Sequence, residues 1–495
     1  MQAPANPRRR SSYLPHAAVA GTLLLLCAFA PAQRAEQQNQ LTGTQSVADA
    51  VQAADRSART APPAIGAHAL ALASRGPIHI LYVHGINQVG AGDSKELRDS
   101  ICKYLRECDT APPIRIYPGG PFAVGTPPPD LAYMGVRIWN TAEQWSASAP
   151  FIDRYRISGG GHTPIVVDEV NWWPIVYPLK CQWMIARDAA LTGPYRDLIQ
   201  DCNAPTQSDP ANQGRYTAWQ WIPNGEARRL LAFHRHAAFI NRDFKNTLMD
   251  WGFSDAAMAL GPIEQIVTAG IRQLLAASLS AEGVDAKMAG PDEKIFFVTH
   301  SLGSYLSLAA LDPESSESTG EPLAQFAPAE DGTNAASYVA ARTVGFYFLA
   351  NQIELLELAR MAPASQAAAP GSPAADPAGL ADPLDGHCPS ELVNRQPSAA
   401  WPSSRAILHW QSVRDEYVKA HDPGASRPQI IAWSDPNDLL SWNVPCMAAV
   451  RVVNLRVRNS AFAIPFLFVD PAAVHANYAR NKKVFRVIFS PAPHS

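Results

Sequence analysis

Residues Phe296 to Leu308 read FFVTHSLGSYLSL, an apolar, strand-like run that stops at a small polar corner and continues with helix-compatible residues. Ser301 lies at that corner and Gly303 follows two positions later. A serine at the apex of a strand-to-helix turn holds its hydroxyl away from the backbone, and small residues on either side let strand and helix approach closely. The pattern therefore predicts a nucleophilic serine, although Thr299 occupies a position where such turns have glycine. An ordinary turn containing glycine is the alternative.

Composition places the chain among packed globular proteins and against polyanionic partners. It has 495 residues, 47% of them hydrophobic, with 12 Trp and 17 Phe, which is enough for a large core and for two or three domains. Lys and Arg number 41 against 44 Asp and Glu, for a formal charge of -3. Because no basic run follows the first residues, we expect no nucleic-acid partner.

The N-terminus has the pattern of an export signal. Arg8, Arg9 and Arg10 precede an apolar stretch from Ala17 to Ala30, and small residues near Ala32 suit cleavage. We therefore predict a signal peptide over residues 1–32, a mobile leader over 33–75, and a periplasmic or secreted mature protein. An uncleaved N-terminal anchor is the alternative.

Cysteine usage agrees with export. One of the seven cysteines, Cys27, lies in the apolar stretch, which leaves an even set that predicts disulfides in an oxidising compartment. Nearness along the chain favours Cys102–Cys108 and Cys181–Cys202, which leaves Cys388 and Cys446 as the third pair, but it does not fix the connectivity. No C-x-x-C spacing occurs, and the neighbours Asp168 and Glu169 point to opposite faces of a strand, so we expect no metal site.

Strand-like and helix-like segments alternate along most of the chain, which predicts an α/β fold with a mostly parallel sheet flanked by helices. The predicted strands are 78–85, 114–117, 164–170, 294–301, 344–352, 429–434 and 450–459. The predicted helices are 93–106, 262–279, one from 302, 407–418 and one from 473. We assign the domain to residues 76–495, with a helical cap insert at about 183–285 and an Ala/Pro-rich surface loop at about 362–404.

A serine hydroxyl needs a base, and the base needs an acid that orients it. Asp438 follows the predicted strand 429–434 and is our candidate acid, with Asp435 as its rival. His475, predicted on a loop before the last helix, is the candidate base; local hydrogen bonding at a helix start is its alternative role. Serine, acid and histidine thus follow one another in the chain order known for one class of serine hydrolases.

An oxyanion hole needs backbone N–H groups directed at the developing charge. The N–H of Leu302, directly after the serine, is one candidate. The other is the N–H of Ile86, because His84 and Gly85 end the first predicted strand in a tight turn. A simple strand-ending turn is the alternative for this pair.

Four segments together resemble the α/β-hydrolase superfamily: YVHG (82–85), THSLG (299–303), SDPND (434–438) and VHANY (474–478). The helical insert before HSLG is similar to lipase- and esterase-type members. The resemblance implies a serine hydrolase with Ser301 as nucleophile, His475 as base and Asp438 as acid, and with no metal or organic cofactor.

The substrate is suggested only by tryptophan. Eight of the 12 Trp lie between Trp139 and Trp251, which favours a lipid-like ester and a transient contact with a membrane surface. The alternatives are an amidase or peptidase with the same triad, and an inactive hydrolase-fold protein that binds a partner.

Overall fold

The computed structural model describes most of the chain between residues 78 and 489. All the described residues belong to the second of two compact units, residues 61–495. The predicted signal peptide and leader lie outside the described residues, as does most of the Ala/Pro-rich loop. The described ranges are 78–86, 92–105, 108–123, 127–128, 130–133, 136–139, 142–159, 164–180, 252–261, 263–280, 294–312, 330–358, 402–421, 428–444, 450–459, 463–464, 468–469 and 471–489.

The regular elements alternate between strands and helices over most of this length. The strands are β1 (Ile78–Val83), β2 (Asp109–Thr110), β3 (Ile114–Ile116), β4 (Ala132–Tyr133), β5 (Val136–Arg137), β6 (Phe151–Ser158), β7 (Ile165–Asn171), β8 (Lys294–His300), β9 (Thr343–Leu349), β10 (Gln429–Ser434), β11 (Arg451–Arg456), β12 (Ala463–Ile464) and β13 (Phe468–Val469). The helices are α1 (Lys95–Leu105), α2 (Ala142–Ala147), α3 (Tyr177–Leu179), α4 (Ser254–Ala259), α5 (Glu264–Ser280), α6 (Leu302–Leu311), α7 (Glu330–Arg342), α8 (Ile353–Leu358), α9 (Pro402–His421), α10 (Pro471–Ala476) and α11 (Lys482–Phe489). Short 3₁₀ turns occupy Gly120–Phe122, Trp173–Ile175 and Asn477–Arg480.

Nine strands form one sheet in the order β11-β10-β9-β8-β1-β7-β6-β2, with β3 also paired to β6. The six strands from β11 to β7 are parallel to their neighbours, and β6 runs antiparallel to β7, β2 and β3. The expected α/β fold with a mostly parallel sheet is therefore confirmed.

Both faces of the sheet are covered, which explains why its central strands are nearly continuous apolar runs. Alternate residues of β1 enter different cores: Leu81 and Val83 pack on one face, and Ile80 and Tyr82 on the other. Helices α5, α6, α7 and α9 contribute to the first core, while α1 and α11 contribute to the second. The carboxyl ends of the parallel strands thus lie at one edge of a sheet buried between two helical layers.

The described part of the predicted cap insert, residues 252–280, contains α4 and α5. Most of α5 is buried, and it packs against α6 and α7 as well as β6 and β7. This helix therefore belongs to the layer that flanks the sheet. Residues 183–251 of the predicted insert lie outside the described residues.

Several element predictions need correction. Strand β6 was missed, because Asp153 and Arg154 interrupt its apolar pattern; each is paired, Arg115 with Asp153 at 2.7 Å and Arg154 with Asp168 at 2.7 Å. Helices α7 and α8 were missed as well. Helix α9 begins at Pro402, so the last residues of the segment predicted as a surface loop are helical. A proline at this position is compatible with a helix, because proline is favoured at the first helical position.

The sulfur atoms of Cys102 and Cys108 are bonded, as their nearness along the chain suggests. The other predicted pairs involve Cys181, Cys202, Cys388 and Cys446, which lie outside the described residues. Within the described ranges, no helix has both the length and the apolar character needed to cross a bilayer.

Candidate active site

Ser301 lies at the corner between β8 and α6, at the carboxyl edge of the sheet. Its backbone has φ 54° and ψ -125°, a conformation that costs free energy for a residue with a side chain and that points to a functional constraint. The Ser301 N–H donates to the carbonyl of Leu349 at the end of β9, at 2.8 Å. The neighbouring strand thus holds the corner in its strained geometry.

Two glycines allow a close approach of backbones at this corner: Gly303 in the first turn of α6 and Gly85 in the turn after β1. A Cβ on Gly303 would lie 2.6 Å from the carbonyl oxygen of His84 and would also press on that of Val83. A Cβ on Gly85 would lie 2.7 Å from the Cβ of Ser301. The turn after β1 therefore passes directly against the serine.

Thr299 stands where turns of this kind have glycine, and its side chain fits there by forming a buried hydrogen bond. Its side chain is fully buried, and its hydroxyl lies 2.8 Å from that of Ser304 in the first turn of α6. The extra side chain thus links the end of β8 to the start of the helix.

Three side chains from separate parts of the chain meet at this corner. His475 Nε2 lies 2.8 Å from Ser301 Oγ, and His475 Nδ1 lies 3.0 Å from both carboxylate oxygens of Asp438. All three are buried. With Nδ1–H donating to the carboxylate, Nε2 is left to accept the proton of the serine hydroxyl.

His475 lies within helix α10, not on a loop as predicted. Around it, His300 Nε2–H donates to the His475 carbonyl at 2.9 Å. Burial and the neighbouring His475 lower the pKa of His300 to about 4, so its ring is neutral near pH 7. A neutral His300 ring places no positive charge beside His475.

Asp438 is held in the turn over residues 435–442 that follows β10, which we call the acid turn. Its N–H donates to the carbonyl of Asp435 at 2.9 Å, and its Oδ1 accepts from the N–H of Leu440 at 3.0 Å. Burial acts to raise the pKa of the Asp438 carboxyl, but the hydrogen bond and charge of His475, with smaller contributions from Leu440 and Tyr478, bring it below its usual value. The carboxylate is therefore ionised near neutral pH.

The hydrogen-bond partners of Asp435 differ from those of Asp438, the other candidate for the acid. Its carboxylate accepts from the N–H and side-chain amide of Asn437, at 2.9 and 3.0 Å, and from the N–H of Asn459. Its own N–H donates to the hydroxyl of Tyr478. Asp435 thus binds the acid turn to the segment after β11, and the carboxylate that contacts His475 is that of Asp438.

The two predicted oxyanion-hole residues lie at the start of α6 and after the turn that approaches Ser301. Leu302 is the first residue of α6, where backbone N–H groups have no carbonyl partner within the helix. Ile86 follows Gly85, which contacts the serine. The described part of this loop ends at Ile86, and the catalytic use of both N–H groups stays a prediction.

Asp168 and Glu169 serve opposite faces of the sheet. Asp168 accepts from Arg154, from His79 at 2.9 Å and from Ser278 at 2.6 Å, whereas Glu169 accepts from two N–H groups at the start of α1. Among the described residues, no group of three or more His, Cys, Asp or Glu side chains is placed to hold a metal ion.

The four described members of the tryptophan cluster are buried, so they are core residues and not a surface for lipid. They are Trp139, Trp145, Trp172 and Trp173.

The sequence analysis missed two exposed apolar side chains near the site. Leu439 and Trp442 are 67% and 47% exposed, and both lie on the acid turn after Asp438.

Gln352 is a second residue that the sequence analysis missed. It was taken as the end of strand 344–352, but β9 ends at Leu349 and the following residues turn toward the site. Its side-chain amide nitrogen lies 3.4 Å from His475 Nε2. No local signal in residues 344–352 indicates this turn, because alanine does not favour the left-handed conformation that Ala350 adopts.

No protein-family model, curated protein or solved structure matches the chain significantly. The geometry of the site must therefore support any functional assignment by itself.

Proposed function

We propose that this protein is a serine hydrolase that cleaves carboxylic esters by acyl transfer. One observation carries the proposal: Ser301, His475 and Asp438, from three distant parts of the chain, form a continuous hydrogen-bonded line with distances of 2.8 and 3.0 Å. The strained backbone at Ser301 adds to it, because backbone strain of this kind clusters at active sites. A buried serine bonded to a histidine that is itself oriented by a carboxylate is the arrangement that activates a hydroxyl.

The reaction has two steps. Ser301 Oγ attacks the ester carbonyl while His475 Nε2 accepts its proton, and Asp438 stabilises the imidazolium that forms. The N–H groups of Ile86 and Leu302 hold the oxyanion. His475 then protonates the leaving alcohol, and a water molecule repeats the attack on the acyl-enzyme. None of these steps uses a metal or an organic cofactor.

We infer that the chain is a member of the α/β-hydrolase superfamily and is similar to its lipase- and esterase-type members. Three features support this inference. The serine follows a central parallel strand, the acid follows the strand two places further toward the edge, and the histidine comes after the edge strand β11. The glycine contacts at the corner are those that a nucleophile elbow requires.

We propose a lipid-like ester as substrate, bound with transient contact to a membrane surface. The support comes from Leu439 and Trp442, because exposed leucine and tryptophan beside a reactive centre suit an acyl chain or a lipid interface. We also propose that the protein is exported after cleavage of a signal peptide. Mass spectrometry of the N-terminus of the mature protein tests the export.

The decisive experiment compares Ser301→Ala with a matched control, Ser307→Ala. Ser307 is buried like Ser301 but lies within α6, where its hydroxyl donates to the carbonyl of Gly303 at 2.7 Å. With p-nitrophenyl esters of increasing chain length, Ser301→Ala should lose nearly all turnover, and Ser307→Ala should retain most of it. Wild-type turnover in Ser301→Ala would refute the mechanism.

A second set of substrates separates the alternatives. Matched p-nitroanilides test for an amidase or peptidase, and a fluorophosphonate probe tests whether the serine is reactive at all. Failure of the probe to label Ser301 would favour an inactive protein that binds a partner. Leu439→Ser should lower the rate with long-chain esters more than with short ones if the substrate is lipid-like.

A further inference from the structure

Gln352 lies at the reacting nitrogen of the proposed base. Its amide nitrogen is 3.4 Å from His475 Nε2, and the residue is only 3% exposed. Since His475 Nε2 already has Ser301 Oγ at 2.8 Å, the contact with Gln352 is the longer and weaker of the two. The Gln352 amide therefore lies beside Nε2, the atom that accepts and returns the proton in the proposed reaction.

The backbone around Gln352 is fixed by a turn with an unusual conformation. Ala350 has φ 55°, in the left-handed region that residues with a side chain rarely adopt. Its N–H donates to the carbonyl of Trp433 at 3.1 Å, and the Asn351 carbonyl accepts from the N–H of Trp442 at 2.8 Å. This strained turn is thus tied both to β10 and to the acid turn, and it directs Gln352 toward the histidine.

The hydrogen-bonding capacity of the Gln352 amide is largely unused. A glutamine amide offers two donors and a carbonyl acceptor, and buried polar groups are normally bonded. Within the described residues, His475 Nε2 is the only partner of this side chain. A buried amide beside His475 Nε2 thus has donor and acceptor groups left with which to bind a small polar molecule.

We propose that Gln352 is a positioning residue for the hydrolytic water of deacylation, an inference that rests on the proposed function above. The water oxygen forms a bond to the acyl carbon while one water proton passes to His475 Nε2. The bond from the acyl carbon to Ser301 Oγ then breaks, Oγ recovers the proton from His475, and the carboxylic acid leaves. Gln352 holds the water at Nε2 during the first of these events.

Deacylation is the step that needs such help. The proton transfer of acylation already has its direct contact, from Ser301 Oγ to His475 Nε2 at 2.8 Å. With a p-nitrophenyl ester the leaving group departs as a stable phenolate, so its departure does not depend on protonation. The water of deacylation has no covalent attachment, and its orientation must come from the protein.

The test separates the two steps with Gln352→Met, an unbranched apolar replacement of similar length. Acylation is measured as the burst of p-nitrophenolate in stopped flow, and deacylation as the decay of the acyl-enzyme followed by mass spectrometry. Loss of one hydrogen bond to water should slow deacylation about tenfold, equivalent to about 1.4 kcal/mol. Acylation should stay within about twofold of wild type, and where deacylation limits turnover kcat and KM should fall together.

Two further variants guard against a merely structural effect. Gln352→Glu keeps an acceptor for the water and should retain more of the deacylation rate than Gln352→Met. Gln273→Met removes another buried glutamine, on α5, and should change neither step. Circular dichroism and the thermal midpoint confirm that each variant is folded.

The outcomes distinguish this inference from the proposed function. If wild type forms no acyl-enzyme and Ser301 does not react with fluorophosphonate, the proposed function is wrong. If wild type turns over normally but Gln352→Met slows both steps equally, or neither, the positioning role of Gln352 is refuted while the triad stands.

Discussion

Replacing Asp438 by asparagine should remove nearly all ester hydrolysis, whereas replacing Asp435 by asparagine should mainly lower stability. The two carboxylates lie three residues apart on one turn, and both are buried, so this pair of variants differs almost only in the partners that each side chain contacts. Asp438 contacts the imidazole of His475, and Asp435 contacts backbone and amide groups.

The size of each effect follows from those partners. An asparagine at 438 that turns its NH₂ group to His475 Nδ1 favours the tautomer with hydrogen on Nε2, which cannot accept the proton of Ser301. By analogy with the triad of serine proteases, turnover should fall roughly 10⁴-fold. An asparagine at 435 keeps one acceptor but weakens the bonds from Asn437 and Asn459, which should cost about 1.5–3 kcal/mol of unfolding free energy.

The assay combines p-nitrophenyl ester turnover with urea unfolding on the same preparations. We expect Asp438→Asn to be inactive and about as stable as wild type, and Asp435→Asn to be active below its unfolding transition and less stable. The reverse ranking of activity would show that the acid is Asp435 and that the contact between Asp438 and His475 has no catalytic importance.

Two other predictions concern the corner and its pH response. Gly303→Ala should lower the unfolding free energy by about 1–3 kcal/mol, because its Cβ would press on the carbonyls of Val83 and His84; Gly119→Ala, with open space around it, is the control, and an equal loss in both would contradict the packing argument. Burial lowers the pKa of His84 to about 4, so between about pH 6.5 and 4 the unfolded state binds a proton at this residue that the folded state does not. The contribution of His84 should therefore lower stability as the pH falls through this window, by at most about 1.4 kcal/mol per pH unit, and His300 adds a contribution of the same sign. Urea unfolding of His84→Gln should show a shallower dependence of stability on pH than wild type, and an unchanged slope would contradict the argument from burial.

Local pattern was sufficient for most of the sheet. Strands β1, β8, β9 and β10 are short, mostly apolar runs rich in β-branched or aromatic residues, a composition that favours buried parallel strands. Strand β7 has the charged pair Asp168 and Glu169, but its Ile-Val-Val start was enough to predict a strand. The same argument failed for β6, whose Asp153 and Arg154 are charged. Their pairing with Arg115 and Asp168 comes from neighbouring strands, and a single segment does not contain that information.

Candidate residues for the site could also be named from the chain alone, because serine, acid and histidine each follow a strand at the carboxyl edge of a parallel sheet. Their order along the chain and the glycine after Ser301 limited the choice to a few positions. The sequence left Asp435 and Asp438 as rivals, since both follow β10 on the same turn. Only the packing of α10 against this turn brings His475 to one carboxylate and not the other.

Gln352 shows the limit of local pattern most clearly. Its segment continues the apolar run of β9, and no feature of that run predicts a left-handed turn at Ala350. The turn exists because Ala350 and Asn351 form backbone hydrogen bonds with Trp433 and Trp442, about 80 to 90 residues further along the chain. Composition, periodicity and chain order therefore determined the fold class and the candidate triad, while long-range hydrogen bonds decided which carboxylate meets the histidine and placed an amide beside it.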